Sequence, residues 1–371
     1  MASNIAAYEW QLNGTMHVVY EARDNHMHEM VIGQDQAWRD ADITRVAGGP
    51  ELEAAIMTGY AWPAGRTQQI AYVSPLSKDG HIHELVMLQG HPWSYADLMV
   101  QPIDAPPADG FALQGCALIA EGTKHVVYTG LDDHIHELST GVIGMWKHTD
   151  LTQVTGAPLA EGALLAAYAW QAKSTRQVVY ISGDGHLHEL TAGAAGRWSH
   201  IDLTDLTGAP LADGIALAGY AWETRGTKQV VYTGNAGNIY ELVAGVDNAW
   251  RHTDVMSLTS APLVASSALA GYAWETGGTK QVVYVGADRH VHEVMMDTRG
   301  TWVYTDLTTL IGAPDASNKV IAGHEWSNQF AKHVVYLDML EAPHIHSLLL
   351  AHGSGWQHTD VTDLTGAQSL E

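Results

Sequence analysis

A His-x-His-Glu phrase recurs along the chain, as His134, His136 and Glu137 and again as His186, His188 and Glu189. On an extended strand both imidazoles share one face and the glutamate takes the other. Two histidines on one face are a possible metal pair, and a carboxylate nearby suits activation of a water molecule. A second phrase, His-Thr-Asp, stands at His148 to Asp150, His252 to Asp254 and His358 to Asp360. A histidine beside an aspartate has the composition of an acid–base pair. Neither phrase is kept throughout: the first reads Asn238, Tyr240, Glu241 in one copy and His344, His346, Ser347 in another, and Asp40, Tyr95 and Tyr304 replace the histidine of the second. Chemistry needing every group would be lost in those copies, so hydrogen-bonded scaffolding is preferred to a metal or catalytic role. No nucleophile elbow, phosphate-binding loop, dinucleotide fingerprint or Cys-x-x-Cys is present. The expectation is a protein that is not an enzyme and uses no metal or other cofactor.

The tryptophans give the larger pattern. All thirteen fall on two positions of one phrase that recurs seven times with a period of 52 residues. The first position closes Tyr-x-Trp, at Trp10, Trp62, Trp170, Trp222, Trp274 and Trp326, with Leu118 in the third repeat. The second lies 28 residues on, or 31 in the second repeat and 30 in the seventh, at Trp38, Trp93, Trp146, Trp198, Trp250, Trp302 and Trp356. A Val-Val-Tyr-like end follows the first position at Tyr20, Tyr72, Tyr128, Tyr180, Tyr232, Tyr284 and Tyr336, and an aspartate follows the second at Asp42, Asp97, Asp150, Asp202, Asp254, Asp306 and Asp360. Small insertions, one between Tyr72 and His81 and one between Asp97 and Cys116, read as loops.

Such marks need elements to hold them. Each repeat offers four short runs separated by Gly, Pro, Asn and Asp, with no sustained helical stripe. In the fifth repeat the spacing predicts strands over about Ala216 to Glu223, Lys228 to Thr233, Asn238 to Val243 and Trp250 to Leu258. Three tight connections make an antiparallel meander, and four strands repeated seven times make an all-β, seven-bladed propeller. Residues 1–371 form one domain, with repeats starting near 4, 56, 112, 164, 216, 268 and 320. The first strand, rich in small residues such as Ala216, Ala218 and Gly219, belongs at the crowded axis. Following strand direction then puts both indoles of a repeat at the same rim, either packed between blades or offering a face to a ligand.

The net charge of -23, from 41 acids against 18 bases, repels nucleic acid and anionic lipid. The lone Cys116 forms no internal disulfide and reads as an inert packing thiol. No signal peptide and no apolar run of spanning length is visible, so a soluble protein is expected, cytoplasmic or released by another route, without membrane insertion.

Taken together, Ala-Gly-Tyr-Ala-Trp-Glu, Lys-Gln-Val-Val-Tyr, His-Ile-His-Glu-Leu and Trp-x-His-Thr-Asp-Leu-Thr resemble the seven-bladed propeller lectins of the Photorhabdus lectin type, from about Ala6 to Ala367. The resemblance implies a bacterial, metal-free lectin binding fucose-like or O-methylated sugars between neighbouring blades, with glycans as partners and assembly into a homo-oligomer. Indole faces suit the apolar C–H face of a pyranose. The expected sugar-binding residues are Tyr168, Trp170, Trp198, Tyr220, Trp222, Glu223, Trp250, Tyr272, Trp274, Glu275 and Trp302, with Trp62, Trp326 and Trp356. Glu223 and Glu275, each following an indole, are expected to accept sugar hydroxyls. Cys116 and Leu118 in repeat three, and His324 in repeat seven, break the phrase, so pockets there should be poor. Each pocket is expected to be weak, with avidity supplied by repetition. Two alternatives stay open: a protein-interaction platform with tryptophan anchors, and a His-dependent metalloenzyme.

Overall fold

A computed structural model describes residues 5–52, 55–73, 80–100, 103–160, 164–193, 196–368 and 370. Seven four-stranded antiparallel sheets follow one another in chain order, each a simple meander. The fifth blade comprises Ala212–Trp222, Thr227–Gly234, Asn238–Gly245 and Trp250–Asp254. First strands of successive blades pack against each other around the ring, and Ile5–Trp10 closes it against Ala316–Trp326. The innermost position expected for the first strand is therefore observed. The expected insertion between Tyr72 and His81 spans residues 74–79, which lie outside the described residues.

The fourth strand corrects the sequence expectation. It ends at Asp254 rather than running to Leu258, and Val255–Thr259 forms a one-turn helix. Five other blades repeat this helix, as in Leu151–Thr155 and Leu203–Thr207. The reason is the aspartate: Asp254 stands at the N-cap and its carboxylate accepts from the Ser257 amide, satisfying a donor the first turn leaves open. A five-residue helix is too short to show a 3.6-residue stripe. Five of the six helices, all but Leu307–Ile311, lie against the outer strand of the following blade.

The Val-Val-Tyr tyrosines join blades in a second way. Tyr232 and Tyr284 are fully buried, and their hydroxyls donate to Pro210 O and Pro262 O, at 2.7 and 2.6 Å, in the Ala-Pro turn after the preceding blade. Valines and leucines of the middle strands fill the space between sheets, as Val230 and Leu242 do at essentially zero exposure, joined by Val255 of the helix.

Candidate functional site

The histidine phrases resolve into hydrogen bonds at one rim. His134 Nδ1 lies 2.7 Å from Oδ2 of the capping Asp150, and His26, His81, His186, His290 and His344 repeat this bond at 2.8 Å. The capping aspartate thus orients the first histidine with one oxygen and starts the helix with the other. The second histidine meets the residue at the His-Thr-Asp position: His136 Nδ1 is 3.0 Å from His148, His188 Nδ1 is 3.0 Å from His200, and His292 Nδ1 is 3.1 Å from the Tyr304 hydroxyl. Tyr240 takes that place in blade five and packs on Tyr232. Bonding to Asp202 raises the His186 pKa, and bonding to Asp306 raises that of His290. Burial lowers His188 and His200. Among the described residues, Asp24, His26 and Asp42, and likewise Asp288, His290 and Asp306, gather ligand atoms within 4.8 Å of one another. Their capping aspartates already hold a backbone amide and an imidazole.

The glutamate of the phrase does something else. Lys228 Nζ enters from blade five and bonds both carboxylate oxygens of Glu189 in blade four, at 2.8 and 2.7 Å. The same nitrogen lies 6.0 Å from the Trp170 ring centre and 4.8 Å from that of Trp250. An indole from each blade therefore brackets a cation, and a carboxylate neutralises it. Lys280 with Glu241 sits between Trp222 and Trp302, Lys332 with Glu293 between Trp274 and Trp356, and Lys124 with Glu84 between Trp62 and Trp146. Where Leu118 replaces the first indole, the bulkier Arg176 replaces the lysine, bonding Glu137 at 2.9 Å over Trp198. Burial pushes the carboxyls of Glu84, Glu189 and Glu241 upward against the pull of their lysines. Sequence reasoning passed over these cations. The available signal was a lysine inside an apolar strand, 39 residues after a glutamate.

Both indoles do lie at one rim, and their exposures differ. Trp62, Trp170, Trp222, Trp274 and Trp326 are buried in the interfaces, from 0 % for Trp326 to 7 % for Trp274. Trp198, Trp250 and Trp302 reach 8 to 9 %, and Trp38, Trp146 and Trp356 are half-buried. Tyr168, Tyr220 and Tyr272 are buried against glycines of the following blade, Gly219, Gly271 and Gly323. A Cβ on Gly219 would meet the Tyr168 ring at 2.6 Å, well inside van der Waals contact. Where Cys116 or His324 replaces the tyrosine, the next blade has Ala167 or Ala7 at the glycine position. Burial pushes the Cys116 thiol up to about 12.

Glu223 and Glu275 bind backbone. The Glu223 carboxylate accepts from the amides of Gln171 and Ala172 in the preceding blade at 2.6 and 2.8 Å, and Glu275 accepts from Glu223 and Thr224 at 2.6 and 3.0 Å. Gln171 extends the series, its Oε1 accepting from Ile119. These side chains staple blade to blade just beyond the first indole.

What stays accessible is the groove between outer strands. Between blades three and four it is a cleft of about 590 Å³, lined by Thr149, Val154 and Thr155 on one side and Gly196, Arg197, Trp198 and Ser199 on the other. Its apolar wall recurs: Val154, Leu206, Leu258, Leu310 and Leu364 occupy one helix position and are 53 to 62 % exposed. Sequence reasoning did not single out this helix residue, because the helix itself was not foreseen.

No protein-family model matches the sequence, and no curated protein matches it. Solved structures match by shape. The chain is similar to the BP39L lectin from Burkholderia pseudomallei, with a TM-score of 0.70 at 14 % identity over 100 % of this chain and 99 % of that one. It is also similar to a six-bladed fungal lectin from Aleuria aurantia with a novel fucose recognition mode, with a TM-score of 0.52 at 16 % identity over 82 % of this chain and 95 % of that one. The SapL1 lectin in complex with α-methyl fucoside gives a TM-score of 0.52 at 15 % identity over 85 % and 96 %. The likeness is one of β-propeller fold.

Proposed function

We propose that this chain is a non-enzymatic lectin that binds fucose-like or O-methylated sugars in repeated grooves between neighbouring blades. The observation carrying the reading is the groove beside Trp198, where an indole edge, an exposed aliphatic side chain, threonine hydroxyls and Arg197 converge. A deoxy or methylated pyranose is amphipathic in the same way: an apolar face and methyl for Trp198 and Val154, hydroxyls for Arg197, Ser199 and Thr149. Trp250, Trp302 and Trp356 occupy the equivalent place in later blades, each following a helix with an exposed leucine. Apolar residues this exposed, repeated at one position, ask for a partner. The neighbouring proteins of like fold, among them lectins solved with fucosides, support the same reading.

Within this scheme the expected residues divide. Trp198, Trp250, Trp302 and Trp356 contact sugar. Trp62, Trp170, Trp222, Trp274 and Trp326, with Tyr168, Tyr220 and Tyr272, hold those indoles in place from behind, and Glu223 and Glu275 lock adjacent blades. Each groove is shallow, so affinity per site is roughly millimolar to micromolar and several sites act together on a glycosylated surface. A glycan array probed with and without chelator tests the proposal. Binding to fucosylated or methylated glycans that survives chelation is expected, and absence of glycan binding, with capture of a single protein partner instead, would favour an interaction platform.

A further inference from the structure

Two interfaces lack the buried cation–carboxylate pair: between blades one and two Gln68 stands in the cation position and Glu29 is held by His17 of its own blade, and the second is where the ring closes. Where blade seven meets blade one, the positions held elsewhere by glutamate and lysine are Ser347 and Met16. The two indoles are still present, Trp326 from blade seven and Trp38 from blade one. The space between them is a cavity of about 180 Å³ lined by Met16, Ile32, Trp38, Trp326, His333 and Leu349, with the exposed Gln36 and Gln357 also bordering it. Thr359 and Leu364 line it too, in the places of Thr149 and Val154. It is the same groove, deepened where no salt bridge crosses it.

The lining defines the chemistry of an occupant. Its floor is apolar, and the one imidazole there, His333, is already paired through Nε2 with the Ser347 hydroxyl at 2.5 Å. Burial, reinforced by His324, holds the His333 pKa well below the ordinary histidine value, so the ring is neutral at pH 7. Among the described residues no fixed charge lines the cavity, so an ionic ligand would be desolvated without compensation. The Trp38 and His333 rings stand 6.0 Å apart, and an apolar cavity of roughly 150 Å³ accommodates a benzene ring.

We propose that this closure cavity is a distinct binding site, one per chain, for a neutral six-membered-ring molecule bearing a hydroxyl, the ring lodged against Trp38, Ile32 and Met16 and the hydroxyl meeting the polar side chains of Gln36, Gln357 and Thr359. The equivalent space at five other interfaces is taken by the cation and carboxylate. The site does not depend on the glycan reading, because its minimal ligand is not a sugar.

Phenol, neutral at pH 7, is the probe. Calorimetric titration is expected to give a saturable isotherm with one phenol per chain, accompanied by a change in tryptophan fluorescence. Met16→Lys with Ser347→Glu rebuilds the ion pair found at five other interfaces and is expected to weaken phenol by about tenfold or more. Leu349→Trp, at a half-buried position on the cavity wall, should do the same by filling the space and serves if the double variant does not fold. No saturable binding to the unmodified protein overturns the proposal, as does undiminished binding in a folded variant of either kind. Loss of phenol binding with glycan binding intact, or the reverse, separates this site from the repeated grooves.

Discussion

Lys228→Met tests how the interfaces are held. The substitution keeps the aliphatic stem but leaves Glu189, 2 % exposed, with both carboxylate oxygens deprived of their ammonium. Breaking one side of a buried pair typically costs about 3–5 kcal/mol. Here the carboxyl has an escape, which is to take up a proton. From an ordinary glutamate pKa near 4.3, protonation at pH 7 costs about 1.36 kcal/mol per unit, or about 3.7 kcal/mol, and at pH 5.5 only about 1.6 kcal/mol. Loss of the cation from between Trp170 and Trp250 adds roughly 0.5–2 kcal/mol at either pH. The expected penalty is therefore about 4–6 kcal/mol at pH 7, shrinking by about 2 kcal/mol at pH 5.5. Adding Glu189→Gln removes the stranded charge while keeping volume, so Lys228→Met/Glu189→Gln should recover most of the loss and lose its pH dependence. Urea denaturation of the four proteins at both pH values measures this. A single-variant penalty below about 1 kcal/mol, or a double variant as unstable as the single, would refute the buried-pair account.

Trp222→Ala is expected to lower stability by roughly 3–5 kcal/mol while sparing sugar sites on other blades, whereas Trp198→Ala should lose one sugar site with a smaller fall in melting temperature; calorimetry paired with melting curves compares them. Gly219→Ala forces a Cβ into the Tyr168 ring and should lower the melting temperature, and Tyr168→Cys added to it, reproducing the Cys116 and Ala167 pairing, should restore part of the loss. Burial holds His324 down at about 4 and His333 well below its ordinary value. Groups depressed in the folded state contribute stability that is present above about pH 6.5 and lost as pH falls toward 4. His186 and His290, raised by their aspartates, act in the opposite sense but are largely exposed to screening. Melting temperature should therefore drop between pH 6.5 and 4, and His333→Gln, matching Gln177 and Gln281, should blunt the drop; an unchanged profile would show that this pair does not govern acid stability.

The architecture was legible because it is a matter of periodicity: fourteen slots spaced along the chain specify seven units, and four runs per unit specify the meander. The common rim of the two indoles followed from strand direction alone. Other features depend on neighbouring blades, and spacing within one repeat does not reveal them. Glu189 and Lys228 belong to different blades, so the phrase His-x-His-Glu showed a glutamate without its partner. Glu223 looked available for a ligand because its acceptors, the Gln171 and Ala172 amides, come from the blade before. The aspartates read as part of a polar network, and their second role as helix caps was hidden by the brevity of the helix. The matched exchange of Tyr168 and Gly219 for Cys116 and Ala167 was written in the sequence, yet only inter-blade contact gives it meaning.

Titration of the protein with methyl α-L-fucoside, with and without EDTA, tests the central claim most directly. The account predicts more than one equivalent weak site per chain, unaffected by EDTA and reduced by one in Trp198→Ala. No binding of this sugar or of any neutral glycan, or binding abolished by EDTA, would contradict it.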